Sequence, residues 1–477
     1  MENTIQEKKW LTIPLLVFCL AAFITALDST LLNVSIPTLV REFHTSLPSL
    51  QWVISAYSLV LAALMITGGR LGDFFGRKKI FMIGAALFAV GSFITSISHS
   101  VPVLIFGESI IEGLGAALMV PATAALIVTN FTGENRAKAF GVWTGLASVA
   151  VAVGPILGGW LTTNYTWRYG FRINIFVVVA LLIGCLFVKD SKGVTEKPQI
   201  DFPGILLSAA GFFLIVFGLI QSTTYGWLSL IVPVSIICGV VSLALFVSWE
   251  RKREESGKTP LISSSVFKNK KFFINIFILF ILYLGLGTIS FFIPIFFQGV
   301  NNASAFHIGL SLIPYSISIF VGSQFAAYLV KWTSPLTARV SSMIVAIIGL
   351  LILRNEISVV ATFFSTVPGL LIYGLGVGSI MPQLTNLIMS SVPAQESGES
   401  SGIYNTMRYV GLAFSVAITG TILVSGINRH IAAGLSHAQS VVYAGRHMLW
   451  FNIGFAAAAL ILFVVFAEKQ SKKASTV

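Results

Sequence analysis

Residues 272–330 contain no Asp, Glu, Lys or Arg, and neither do residues 80–107, 139–167, 202–249 and 357–395. Uncharged runs of that length have one stable solvent. The hydrocarbon core of a bilayer is about 30 Å thick and offers no water, so a segment of roughly 20 apolar residues crosses it as a helix that satisfies its own backbone. Two of the runs are too long for a single crossing. The turn-forming strings Gln221-Ser-Thr-Thr-Tyr-Gly226 and Gln298-Gly-Val-Asn-Asn-Ala-Ser304 divide them. With the remaining apolar segments, fourteen spans are predicted, near 12–39, 51–69, 80–98, 101–129, 138–162, 169–188, 202–221, 228–249, 272–298, 306–330, 336–353, 358–390, 400–425 and 447–467. Composition agrees, since 56% of the 477 residues are hydrophobic and only 10% are charged. A cytosolic enzyme, a disordered scaffold and a secreted disulfide domain are excluded, and the fold class is an all-α polytopic membrane protein.

Charge then orients the spans. Arg41, Arg168, Arg172, Arg354, Arg429 and Arg446 fall on one side, and the other twenty-four of thirty Lys and Arg fall on the other, so the basic side is expected to be cytoplasmic with both termini there. The net charge of +12 is a product of this bias and carries no implication of nucleic-acid binding. Lys8 and Lys9 precede an apolar run from Trp10 to Val40 without a small-residue cleavage pattern, which predicts an uncleaved first span. Cys19, Cys185 and Cys238 each sit inside an apolar run with no partner at ligand spacing, so neither a disulfide nor a metal site is expected. The longest charged stretch, Glu250 to Lys271, reads as a linker. The predicted organisation is a six-helix bundle over 1–200, two additional helices over 201–250, a cytoplasmic linker over 251–271 and a second six-helix bundle over 272–477, the arithmetic of a duplicated transporter unit.

Four strings carry more than packing. Gly69-Arg-Leu-Gly-Asp73-Phe-Phe-Gly76-Arg77-Lys78-Lys79 sets an acid and a basic cluster in a tight turn between spans two and three. Gly154-Pro155-Ile-Leu-Gly158-Gly159 in span five permits close helix approach and a bend. The others are Leu27-Asp28-Ser-Thr-Leu-Leu-Asn33-Val-Ser-Ile-Pro37 and Trp167-Arg168-Tyr-Gly-Phe171-Arg-Ile-Asn174. Together, and with Asn405-Thr-Met-Arg408-Tyr-Val-Gly411, they resemble the motifs of the major facilitator superfamily and, within it, of the fourteen-span drug:proton antiporters of the multidrug efflux type. The resemblance covers nearly the whole chain. It implies two six-helix bundles with two extra helices between them, a location in the bacterial cytoplasmic membrane, no resident cofactor beyond the coupling proton, and an Asp73 that faces the helix N-terminus near Gly398. Gly69, Asp73, Gly76, Arg77, Gly154, Pro155, Gly158 and Gly159 are the conformational residues that it implies. There are departures, with Phe74 where the family usually has a basic residue and Ala150 where it has a second glycine.

Chemistry is expected from three acids. Asp28, Glu108 and Glu112 lie well inside spans, where an isolated charge costs several kcal/mol unless it is paired, hydrated or protonated. Glu108 and Glu112 are four apart and share a helix face, while Asp28 and Glu112 both lie about 16 Å from the same end of their helices, so all three are expected to line one cavity as proton-coupling groups. The family's Arg-x-x-Gln-Gly falls on Ser109-Ile-Ile-Glu112-Gly113, so its relay arginine is missing. Two readings of that departure stand, with Glu112 as the proton carrier or Arg408 as a substitute cation. Asp28, Glu112, Tyr57, Trp143, Tyr283, Tyr315, Gln383, Asn405, Arg408 and Tyr409 form the candidate substrate set, acidic and aromatic as a lipophilic cation requires. Ser256-Gly-Lys-Thr259 lacks the first glycine of a phosphate loop, and the six histidines are expected in solvated loops. The chain is therefore expected to be no enzyme but a monomeric proton-driven exporter whose partners are small lipophilic compounds and membrane lipids. A carrier of a lipid, metabolite or amphipathic anion is the alternative.

Overall fold

The computed structural model describes residues 12–45, 47–189, 200–301, 303 and 305–474. Lys8, Lys9, Lys192 and Lys197 lie outside them, and the ring of Pro155 is not among the described side chains. Among the described residues, fourteen helices are long and apolar enough to cross a membrane. In chain order they are α1 (Ile13–Glu42), α2 (Leu47–Phe75), α3 (Arg77–Ser96), α4 (Val101–Asn130), α5 (Gly133–Asn164), α6 (Arg168–Gly184), α7 (Phe202–Tyr225) and α8 (Ile231–Glu255). Then follow α9 (Lys270–Asn301), α10 (Ile313–Trp332), α11 (Pro335–Glu356), α12 (Val367–Ser390), α13 (Ser397–Ala432) and α14 (His437–Ala474). Among the described residues there is no strand, and the protein is an all-α polytopic membrane protein.

Helix ends follow local chemistry. The turn between α2 and α3 runs through Gly76 at φ 103°, and the break between α7 and α8 through Gly226 at φ 77°, backbone conformations that L side chains rarely adopt. Asp201 caps α7 by accepting from the Gly204 N–H at 3.1 Å, and Ser334 caps α11 by accepting from Thr337 at 3.1 Å. Helices α13 and α14 run well past the apolar stretches that predicted them. His430, His437 and His447 therefore sit on helices and not in loops, and His430 bonds the Gly426 carbonyl through Nδ1 at 2.7 Å and stacks on Tyr443.

Two compact units emerge from packing. One is Met1–Phe273 with Leu387–Val410, and the other is Ile274–Asn386 with Gly411–Val477. The expected division at 200, 250 and 271 follows the chain, whereas the packing carries the end of α12 and the start of α13 into the first unit. The reason lies in polar contacts at the basic helix ends, described below. Inside the first unit, α1 and α5 meet along small residues, with Gly154 against Thr30 and Gly158 against Leu31. Leu31, Leu32, Leu39, Leu50, Val53, Leu104, Trp167 and Phe171 form a buried core toward the far end of α1. Trp167 is fixed there through its Nε1 on Glu42 Oε2 at 2.8 Å, while Arg168 donates to Glu42 Oε1 at 2.5 Å and to the Ser98 carbonyl at 2.7 Å.

Candidate functional site

A π-helical segment, Ile105–Glu112, interrupts α4 and carries both of its acids. Such segments are rare and frequently mark functional sites, since the wider turn re-aims side chains that a regular helix would fix. Gly91 of α3 makes room for it, because a Cβ there would press on the backbone and Cβ of Glu112. On the other side, Ser109 donates to the Val53 carbonyl of α2 at 2.7 Å, and Tyr57 packs beside Gly113. Helices α2, α3 and α4 thus close around the segment.

Asp28 of α1 meets Glu108 and Glu112 there. One carboxylate oxygen of each lies within 4.8 Å of those of the others, and the three residues are 0%, 2% and 0% exposed. They are buried inside the first unit, where Gly91 lets α3 pack closely on α4. Two side chains absent from the expected set organise them. Asn174 of α6 donates through Nδ2 to Asp28 Oδ1 at 2.8 Å and Glu112 Oε1 at 3.2 Å, and Ser92 of α3 donates to Glu112 Oε1 at 2.6 Å. Asn174 also reaches Ser92 Oγ at 3.1 Å, so three helices and the π segment of α4 converge on one polar knot. Among the described residues, Asp28 Oδ2, Glu108 Oε2, Glu112 Oε2 and Asn174 Oδ1 have no hydrogen-bond partner. Buried oxygens left so are costly, and a proton on a carboxyl or a bound cation removes the cost.

The candidate aromatic and amide residues fall in two groups. Tyr57, Trp143, Asn405, Arg408 and Tyr409 belong to the first unit, and Tyr283, Tyr315 and Gln383 to the second. Trp143 is buried against Phe140 with its indole N–H unpaired among the described residues, and Asn405 donates to the Ser401 carbonyl while its own Oδ1 has no partner. Arg408 lies over the ring of Tyr409, 5.1 Å from its centroid. In the second unit, Tyr315 stacks on Tyr373 with 5.7 Å between centroids, Tyr283 packs against Gly411, and Gln383 donates to the Ser379 carbonyl at 2.9 Å.

A second constellation sits at the basic helix ends. Asp73 accepts from Arg77 Nη2 at 2.7 Å and Nε at 3.0 Å, and from the Gly398 and Glu399 N–H groups of α13 at 3.2 and 3.0 Å. Its carboxylate thus caps α13, where the helix dipole favours an anion. Arg77 continues to the carbonyls of Ala394 and Gln395, and Gly69 lets α2 approach so closely that a side chain there would press on the Gly398 carbonyl. Gly159 lies on α5 with Gly154 and Gly158. Sequence reasoning missed the next layer. Arg70, stacked on Phe74, pairs with Glu399 at 2.9 Å and donates to the Pro260 carbonyl at 2.8 Å, while Ser263 donates to Glu399. Glu250 in turn accepts from the Leu261 and Ile262 N–H groups at 2.6 and 3.1 Å. The linker is therefore strapped to α2, α8 and α13, and a polar residue directly before or after each apolar run was the available signal.

Spanning helices that carry intramembrane acids and a capped, glycine-lined turn fit a transporter. The Major Facilitator Superfamily model matches residues 18–416, and the chain belongs to that superfamily. It is 30% identical over 464 residues to the methylenomycin A resistance protein of Bacillus subtilis (strain 168), covering 97% of this chain and 96% of that one. It is also 30% identical over 458 residues to the puromycin resistance protein pur8 of Streptomyces alboniger, covering 95% and 90%. Among solved structures, the proton:xylose symporter XylE superposes with a TM-score of 0.65 at 14% identity over 95% of each chain, a likeness of fold.

Proposed function

We propose that the protein is a proton-coupled multidrug efflux antiporter of the bacterial cytoplasmic membrane, with both termini cytoplasmic, which exports lipophilic cationic compounds by alternating access. The observation that supports this reading is the convergence of Asp28, Glu108 and Glu112 on Asn174 and Ser92, with one unpartnered oxygen on each acid. Three carboxylates so close in a dry site do not all carry charge together, and protons or a cationic substrate supply the neutralisation. Competition between the two for the same oxygens couples their fluxes. Each re-entering proton gains about 2.3 kcal/mol per 100 mV of membrane potential, so electrogenic exchange needs more protons than substrate charges. The antibiotic-resistance names of the two relatives support drug export.

Energised inside-out vesicles test it. Adding ethidium should collapse the pH gradient with the wild-type chain and leave it intact with Asp28→Asn or Glu112→Gln. A chain that shows no collapse across a panel of lipophilic cations is instead a carrier of a lipid, metabolite or amphipathic anion.

A further inference from the structure

Several of the arginines are held by acids or carbonyls. Arg70 pairs with Glu399, Arg77 with Asp73 and Arg168 with Glu42, while Arg446 donates to the Ile357 carbonyl at 2.9 Å. Arg339 and Arg354, near the two ends of α11, have no ion pair or hydrogen bond among the described residues, and the Nε of each is buried without a partner. Each lies instead over an aromatic ring of α14. The Arg354 guanidinium is 4.8 Å from the centroid of Trp450, and that of Arg339 is 5.8 Å from the centroid of Phe463. The acid nearest to Arg354 in sequence, Glu356, is engaged by the Gly369 N–H at 3.1 Å.

The surroundings are apolar, with Trp450 half-exposed at 49% and Phe463 buried at 4%. Ile344, Ile348 and Leu351 of α11 and Trp450, Ile461 and Val464 of α14 present outward surface on spanning helices, where the contacting medium is lipid. Fifteen residues separate Arg339 from Arg354, about 22 Å of helix axis, against a hydrocarbon core of about 30 Å. Each guanidinium therefore starts inside the hydrocarbon boundary, at opposite leaflets, with a phosphate layer in reach of an extended side chain. An unpaired cation there requires an anion, and a ring on one face leaves the planar N–H fork open to a phosphate.

We propose that the α11–α14 face is a binding surface for anionic phospholipid, with Arg339 and Arg354 each holding a headgroup phosphate in one leaflet. The inference does not rest on the transport reading. The full chain, purified in detergent, is titrated with phosphatidylglycerol or phosphatidylcholine of identical acyl chains, and bound lipid is counted by native mass spectrometry. Wild type should prefer phosphatidylglycerol, Arg339→Gln and Arg354→Gln should each cut that preference about fivefold, and the double variant about 25-fold. Arg339→Lys and Arg354→Lys keep the charge without the planar fork and should retain only part of it, and wild-type melting temperatures for the Gln variants show that their loss is not misfolding. Glu356→Gln on the same helix should leave it unchanged. A double Gln variant with the wild-type preference, or displacement of the lipid by inorganic phosphate, overturns the proposal.

Discussion

Asp73 and Arg77 are each 2% exposed and bonded through two N–H groups, so cutting one from the other creates an orphan charge. Removing one member of a buried pair costs about 3–5 kcal/mol, most of it from the partner left behind. The two orphans differ. After Arg77→Gln, Asp73 keeps the Gly398 and Glu399 N–H groups, which stabilise an anion. After Asp73→Asn, Arg77 keeps only the Ala394 and Gln395 carbonyls, and two helix N–H groups lose a charged acceptor. The expected order of destabilisation is Asp73→Asn above Arg77→Gln, with the double variant no worse than Asp73→Asn alone. A loss of that size lowers the melting temperature by roughly 5–10 °C. The assay is built in, because Cys19 and Cys185 are buried and react with a thiol-specific fluorophore when the helices open, once the exposed Cys238 is replaced by Ser. Strictly additive losses in the double variant would refute the reasoning, since they would mean that neither charge depends on the other.

Three further outcomes are expected. Burial acts to raise the Glu42 carboxyl, but Trp167 and Arg168 outweigh it and hold the group below its ordinary value. Its folded-state pKa is therefore depressed, and the stability it contributes is present above the usual Glu range near about 4.3 and lost as pH falls through the lower folded value. Melting curves of wild type and Glu42→Gln should differ at pH 7 and converge in acid. Gly91→Ala should lose about 1–3 kcal/mol because its Cβ presses on backbone, whereas Gly454→Ala, with nothing within 4 Å, should be neutral in the same melting assay. Glu250→Gln should speed hydrogen exchange at the Leu261 and Ile262 amides about 10-fold or more, the equivalent of one charge-assisted bond, and unchanged rates would show that the strap is held elsewhere.

The spans were legible because lipid tolerates so few charges that every interruption is informative. The same rule exposed Asp28, Glu108 and Glu112, since an acid in an apolar run needs a proton, a cation or a hydrogen-bonding neighbour. It was blind to Ser92 and Asn174, because a single serine or amide costs a span little and its donors are visible only when α3 and α6 are placed against α1 and α4. It also misjudged which acids are buried. Asp73, Asp201, Glu250 and Glu399 lie at helix ends yet are 0–2% exposed, each covered by an arginine, an indole or free N–H groups. Depth in a span follows from hydropathy, whereas burial at its edge depends on which loop folds over it. The compact units cross the linker for that reason, since Arg70, Asp73 and Arg77 hold residues that are distant in the chain.

The π segment at Ile105–Glu112 has a genetic corollary. A π turn holds one residue more than its α-helical counterpart, the difference in length that one codon makes. Losing one codon between positions 105 and 112 would let the hydrogen-bond ladder rejoin without a break. The span would survive with its flanking parts facing as before, but the side chains within the segment, Glu108 and Glu112 among them, would be re-aimed. A lineage can thus disturb the triad in one in-frame step that no hydropathy profile registers.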